Sequence, residues 1–158
     1  MNRRTATIAA VLASALTAGS LAQADTAPDF TRLIVKVGKR SVQATLGTHC
    51  VPTADGKGQC DTAAYPLKTT GSVTLSRGGE VTLLFGAPAG YVSWRAARID
   101  GTGKEVPVAT GEAKVVTKTK KRWRITLPKN LRRSTKLLGF SVNYPNAFAS
   151  FEVGATVK

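Results

Sequence analysis

The chain has 158 residues, and its 23 Lys and Arg against nine Asp and Glu give a formal net charge of +14 at pH 7. This excess is compatible with binding to an anionic polymer or to the cell envelope, and it does not specify a fold. One histidine and two cysteines leave few groups for imidazole or thiolate chemistry, so the composition argues against most common catalytic and zinc sites.

The first 24 residues have the three parts of a secretory signal peptide. Arg3 and Arg4 precede a weakly apolar, uncharged run at residues 6–21, and Ala22 and Ala24 form a small-residue cleavage site. The run is too rich in Ala, Thr and Ser to favour a membrane-spanning helix. The general secretion route is favoured over the twin-arginine route, because no strongly apolar residue follows the arginine pair.

Cleavage would leave residues 25–158 as a single domain, which we expect to be secreted, periplasmic or attached to the cell surface. The leader contains two basic residues and no acid, so the mature chain carries 21 basic and nine acidic residues, a net charge of +12. No further apolar run in this part of the sequence is long enough to span a membrane.

Cys50 and Cys60 are predicted to form a disulfide, because an even number of cysteines in an exported chain is typical of one. Asp55, Gly56 and Gly58 between them allow the chain to reverse direction. Metal binding is the alternative. It is disfavoured, because His49 beside the two thiols gives three ligands with no fourth, and the sequence indicates no metal or cofactor.

The mature chain alternates β-prone segments with turn signals. The predicted strands are residues 30–37, 41–46, 73–76, 81–85, 91–99, 112–118, 122–127, 137–144 and 149–157. Turns are expected at residues 38–39, 77–79 and 100–103, and residues 129–138 are expected to form a crossover loop because they lack an apolar stripe. This pattern predicts an all-β fold, an antiparallel β-sandwich or barrel.

The order of features over residues 71–158 is loosely similar to immunoglobulin-type bacterial sandwich domains. The similarity rests on a Gly-Gly turn leading into VTLLF, a Trp-bearing strand YVSWRA, the segment RWRITLP and a closing pair of strands. It implies an antiparallel sandwich of that type. The inter-sheet cysteine pair of antibody domains is missing, because both cysteines precede this stretch, and the similarity implies no particular activity.

Most aromatic residues are predicted to lie in the core, because they occur among alternating apolar positions. They are Phe85, Tyr91, Trp94, Phe140, Phe148 and Phe151.

Positive charge is concentrated between Lys114 and Lys136, where ten basic residues occur without an acid, whereas the rest of the mature chain has a net charge of only +2. We call residues 114–136 the basic band. Its candidate anion-binding residues are Lys118, Lys120, Lys121, Arg122, Arg124, Arg132 and Arg133.

The geometry of the band has two possible forms. A continuous strand would place Lys118, Lys120, Arg122 and Arg124 on one face, about 6.6 Å apart, and Trp123, Ile125 and Leu127 on the other. A turn near residues 119–121 would instead gather the charges at a loop tip. Both forms give a positive patch.

Three functions are compatible with these features. The first is a non-enzymatic module that binds an anionic extracellular polymer or the cell envelope through the basic band. The second is an accessory or inhibitor-like sandwich that binds a protein, with the disulfide loop as a contact and the band only solubilising the chain or discouraging edge pairing. The third, an enzyme, is disfavoured. His49 adjoins a bridged cysteine, and most candidate carboxylates occur in turn sequences. Those carboxylates are Asp55, Asp61, Asp100, Glu105 and Glu112.

Overall fold

The computed structural model describes residues 29–53 and 55–158, so the expected signal peptide lies outside the described residues. In chain order the strands are β1 (Leu33–Val37), β2 (Arg40–Gln43), β3 (Thr45–Pro52), β4 (Gly58–Asp61), β5 (Ser72–Leu75), β6 (Glu80–Phe85), β7 (Tyr91–Ile99), β8 (Glu105–Glu112), β9 (Lys114–Val115), β10 (Arg122–Thr126), β11 (Leu137–Asn143) and β12 (Phe148–Val157). Among the described residues, no helix has the length and apolar character needed to cross a membrane.

The strands form two sheets that pack face to face, which confirms the predicted all-β sandwich. One sheet has five strands in the order β2-β1-β6-β10-β9. The other has seven, in the order β4-β3-β12-β11-β7-β8, with β5 beside the second half of β12. Within the described part of the chain, neighbouring strands are antiparallel except for the β5–β12 pair.

Each sheet buries one face against the other, because buried and exposed residues alternate along the strands. Phe140 on β11 and Phe151 on β12 are fully buried at the centre, and Phe85 and Trp94 also lie in the core, as predicted. Tyr91 was wrongly predicted to be buried: 42% of it is exposed. It precedes the inward-facing Val92, so alternation directs it outward. Phe148 is half-buried.

The predicted strand at residues 41–46 is in fact two strands that belong to different sheets. β2 ends at Gln43 in the five-stranded sheet, and β3 begins at Thr45 in the seven-stranded sheet. Ala44 connects them; it is buried, and its N–H donates to the carbonyl of Leu33 at 2.9 Å. A local pattern of alternating residues cannot reveal this change of sheet, because each half keeps its own alternation.

The prediction of a strand at residues 112–118 was also wrong in its position. The chain forms β8 before this segment, and only Lys114 and Val115 of the segment pair as β9. Pro107 weakens the strand signal of β8, yet it is tolerated there because β8 is an edge strand that pairs only with β7. The structure confirms the turns at residues 38–39, 77–79 and 100–103. The predicted crossover loop at residues 129–138 is confirmed over residues 129–136, but residues 137 and 138 already belong to β11.

The predicted disulfide is confirmed, and it joins two neighbouring strands. Cys50 on β3 lies directly opposite Cys60 on β4, and their sulfur atoms are bonded. The intervening residues form the turn of the β3–β4 hairpin. All four residues of β4 are exposed, so the disulfide holds an edge hairpin that contributes little to the core.

A segment at residues 62–71, which we call the strap, lies across the outer face of the seven-stranded sheet. The hydroxyl of Tyr65 hydrogen-bonds the hydroxyl of Ser150 and accepts the N–H of Thr48 at 3.1 Å. The N–H of Leu67 donates to Oε2 of Glu152 at 2.8 Å. Polar contacts to β3 and β12 therefore hold the strap in place.

Under the strap, Arg95 of β7 bridges two carboxylates. Its Nη2 donates to Oε1 of the fully buried Glu152, and its Nε donates to Oε2 of Glu105 at 3.1 Å. Arg95 reaches Glu152 across Gly139, which lies opposite both residues. A Cβ at position 139 would lie 2.8 Å from Cζ of Arg95, so the glycine keeps this path open.

Stability should fall as pH rises through the titration of Glu152. Burial is the main cause that raises the pKa of this carboxyl to about 7 from an ordinary value of 4.5, and Glu105 adds to the effect. Because the folded-state pKa lies above the unfolded one, the stabilisation is present below about pH 4.5 and is lost as pH rises to about 7. We therefore expect the free energy of unfolding, measured by urea denaturation, to fall between about pH 4.5 and pH 7.

The Glu152→Gln variant keeps an acceptor for Leu67 and cannot titrate, so its stability should be nearly flat between pH 5 and 7. Glu112→Gln is the matched control, because it removes one carboxylate from an exposed position. A Glu152→Gln variant with the wild-type dependence on pH would contradict this assignment.

Candidate anion-binding surface

The first part of the basic band, residues 114–126, folds as a hairpin in which β9 and β10 are joined by a turn at residues 116–121. The N–H of Val116 donates to the carbonyl of Arg122, and the N–H of Lys120 donates to the carbonyl of Thr117, both at 2.9 Å. Lys120 adopts a left-handed conformation with φ of 53°. The turn therefore interrupts the continuous strand that would have placed the four charges on one face. The structure has the alternative arrangement, in which charges gather at a loop tip.

Backbone contacts anchor the base of this turn to the rest of the sandwich. The carbonyl of Lys120 accepts Nε1–H of Trp123 at 2.8 Å and the N–H of Ala89 at 3.0 Å. The carbonyl of Lys121 accepts the N–H of Phe85 at 2.9 Å. The side chains of Lys118, Lys120 and Lys121 are exposed. The turn therefore presents three ammonium groups to the solvent from a backbone that hydrogen bonds hold in place.

β10 has one buried and one cationic face. Trp123 and Ile125 on the strand and Leu127 just after it are 6%, 1% and 2% exposed. All three lie in the core, on the face that the continuous-strand form placed opposite the arginines. Arg122 and Arg124 alternate with them and face the solvent.

The structure adds Lys36, which lies far from the basic band in the sequence. Lys36 of β1 lies opposite Thr82 of β6, Thr82 lies opposite Arg124, and Arg124 lies opposite Lys114 of β9. These residues form a row across the outer face of the five-stranded sheet, and Arg122 lies two residues from it along β10. We call Lys36, Lys114, Arg122 and Arg124 the cationic face. From the sequence LIVKV of β1, the alternation of a strand predicts that Lys36 faces outward. It does not predict which strands lie beside β1.

Glu80 on β6 is the acidic residue among the strands of this sheet. Its Oε1 lies 3.3 Å from Nη1 of Arg124, and both side chains are about half exposed. An ion pair of this kind contributes little to stability, so Arg124 remains able to bind another anion.

Arg132 and Arg133, also predicted to bind anions, lie away from the hairpin lysines. β10 begins at the hairpin and ends at Thr126, and the loop that carries the two arginines leaves from that opposite end. The loop is ordered by Thr135, whose N–H and hydroxyl both donate to the carbonyl of Arg132. Both arginines are exposed, and the structure does not bring them together with the predicted residues before β10.

The two sheets differ in charge. The strands of the five-stranded sheet carry five basic residues and one acid, a net charge of +4. The strands of the seven-stranded sheet carry two basic residues, Arg95 and Arg98, and four acids, a net charge of −2. A polyanion would therefore be attracted to one side of the sandwich.

His49 contacts groups that hold it in the edge hairpin. Its Nε2 lies 3.4 Å from Oδ2 of Asp61, and its Nδ1 lies 3.2 Å from the carbonyl oxygen of Gly47. In the described residues, no group of three or more His, Cys, Asp or Glu side chains is placed to hold a metal ion. The buried Arg95 network was not predicted either, because Arg95, Glu105 and Glu152 are distant in sequence.

Comparison with protein-family models, curated proteins and solved structures finds no match to this chain.

Removing the charge of Lys120 by substitution with glycine should not destabilise the hairpin. A non-glycine residue in the left-handed region costs about 1 kcal/mol, and glycine removes that cost. We expect Lys120→Gly to leave the free energy of unfolding unchanged or to raise it by up to about 1 kcal/mol. Lys118→Gly removes the same charge where φ is not positive, and it should lower that free energy by about 0.4–1 kcal/mol. Urea denaturation of both variants tests the turn geometry, and equal losses would contradict it.

Proposed function

We propose that this protein is an exported, non-enzymatic β-sandwich that binds anionic polymers outside the cytoplasm. The observation that carries the proposal is the gathering of exposed Lys and Arg on one side of the molecule. The hairpin contributes Lys118, Lys120 and Lys121, and β10 contributes Arg122 and Arg124. A surface that only solubilised the chain would not need its charges concentrated on one sheet.

The chemistry of these side chains supports a polymeric anion. Arginine pairs with oxyanions through two parallel hydrogen bonds, and lysine acts as a flexible point charge. Each neutralised charge on a polyanion releases counterions, so several contacts together give strong binding at low salt that weakens steeply as salt is added.

We propose that residues 1–24 direct export and are removed, and that the sandwich is of the immunoglobulin-like type. The Cys50–Cys60 disulfide supports an oxidising compartment, because such bonds are rare in the cytosol. The Trp-bearing strand and the closing pair of strands support the immunoglobulin-like type.

A second candidate is an accessory or inhibitor-like protein whose partner contacts the β3–β4 hairpin. The exposure of all four residues of β4 and the disulfide that fixes the hairpin favour this candidate. A rigid, exposed hairpin loses little conformational entropy on binding a partner.

The test is retention of the mature protein on heparin and on neutral agarose. We expect the wild type to elute from heparin well above physiological salt, because many cationic contacts must be displaced. A variant with Lys118, Lys120, Arg122 and Arg124 changed to Gln should elute much earlier.

The control is a second variant that loses four charges at the opposite end of β10. It changes Lys129, Arg132, Arg133 and Lys136 to Gln, and all four of these residues are exposed. A smaller loss of retention in this variant would support a localised site. Equal losses in the two variants, or early elution of the wild type, would contradict it and direct attention to a protein partner of the β3–β4 hairpin.

A further inference from the structure

Three strand spacings separate the ends of the cationic row on the five-stranded sheet. Lys114, Arg124, Thr82 and Lys36 lie directly opposite one another on β9, β10, β6 and β1. Neighbouring strands are about 4.8 Å apart, so the backbone at Lys114 and that at Lys36 are about 14 Å apart. This row of residues runs across the strands. The continuous strand, one of the two forms compatible with the sequence, would instead have aligned its charges along one strand.

The part of the row from Arg124 to Lys36 borders an open depression of about 470 Å³. Lys36, Arg122 and Arg124 line it, together with Glu80 and with the hydroxyl-bearing Thr82. Three cations against one carboxylate leave an excess of two positive charges. Because the Arg124–Glu80 pair is solvent-exposed and therefore weak, an incoming oxyanion can take the place of Glu80 on Arg124.

The outward side chains of this sheet are charged, polar or aliphatic, and none of those in the described residues is aromatic. The same is true of the turn at residues 116–121. Proteins that hold single-stranded nucleic acid stack its bases on aromatic rings. This face therefore offers contacts to a charged backbone and no platform for bases.

We propose, on the basis of the anion-binding function above, that the ligand is a linear polymer of phosphate or sulfate groups without aromatic bases. It crosses the strands along the row from Lys114 to Lys36. The cations on β9 and β10 lie on adjacent strands, about 4.8 Å apart, so the best ligand carries a charge on each unit of its backbone. Arg122 and Arg124 pair with its oxyanions, and Thr82 donates a hydrogen bond between the two ends.

The experiment measures binding of inorganic polyphosphate to the full mature chain over a range of salt concentrations. Lys36→Gln and Lys114→Gln should each weaken binding about fivefold. Each should also lower the slope of log affinity against log salt by about 0.7–0.9. Lys68→Gln is the matched control, because Lys68 is exposed on the strap of the other sheet; it should change neither quantity. Thermal melting checks that the variants are folded.

Two outcomes separate this inference from the proposed function. If Arg122→Gln with Arg124→Gln weakens binding while Lys36→Gln does not, the polymer follows β10 and the crossing path is wrong, although anion binding stands. If the wild type binds no polyanion, the proposed function itself fails.

Other polymers identify the ligand class. Dextran sulfate and polyphosphate should both bind and compete, and their relative affinity distinguishes a sulfate source from a phosphate source. Oligothymidine at equal phosphate concentration should bind more weakly, because its bases find no stacking partner. Binding of oligothymidine as tight as that of polyphosphate would overturn the exclusion of bases, and preference for hyaluronan would indicate a carboxylate polymer instead.

The length of the ligand is tested with triphosphate. Triphosphate is too short to span the row and should bind weakly, and binding of triphosphate as tight as that of the polymer would refute the extended path.

Discussion

The burial of one face of β10 is the constraint on which the rest of the candidate surface depends. Trp123 and Ile125 enter the core between the two sheets, and the alternation of a β-strand then requires Arg122 and Arg124 to face the solvent. The indole N–H of Trp123 also bonds the carbonyl of Lys120, so the same side chain that anchors the strand fixes the turn before it. Moving the hairpin would require unpacking the core.

Features that depend on neighbouring residues were predictable from the sequence, whereas features that depend on distant pairing were not. Alternation of residue types identified most strands and the core positions of Phe85, Trp94 and Phe140. The even number of cysteines and the turn residues between Cys50 and Cys60 indicated the disulfide, which the structure confirms. Lys36 could not be assigned to the surface, because only the pairing of β1 with β6 brings it near β10. Either geometry of the basic band was compatible with its sequence, since Thr and Lys occur in strands and in turns.

The outer faces of the two sheets have opposite characters. The five-stranded sheet presents cations around Arg124, while the seven-stranded sheet holds the Arg95–Glu152 pair beneath the strap. The strap covers part of the acidic side through polar contacts to β3 and β12, whereas Arg122 and Arg124 on the cationic side are exposed. This asymmetry would orient the molecule on an anionic partner, because the sheet with excess negative charge would be repelled by a surface that attracts the other sheet.

The central claim, that one face of the sandwich binds polyanions, is tested most directly by mapping backbone amide chemical shifts in the ¹⁵N-labelled protein as polyphosphate is added. We expect the largest changes at Lys36, Thr82, Lys114 and Arg124 and in the turn at residues 116–121, with little change on β4 or β12. Changes centred on the β3–β4 hairpin, or spread evenly over all exposed lysines, would contradict a binding site on the five-stranded sheet.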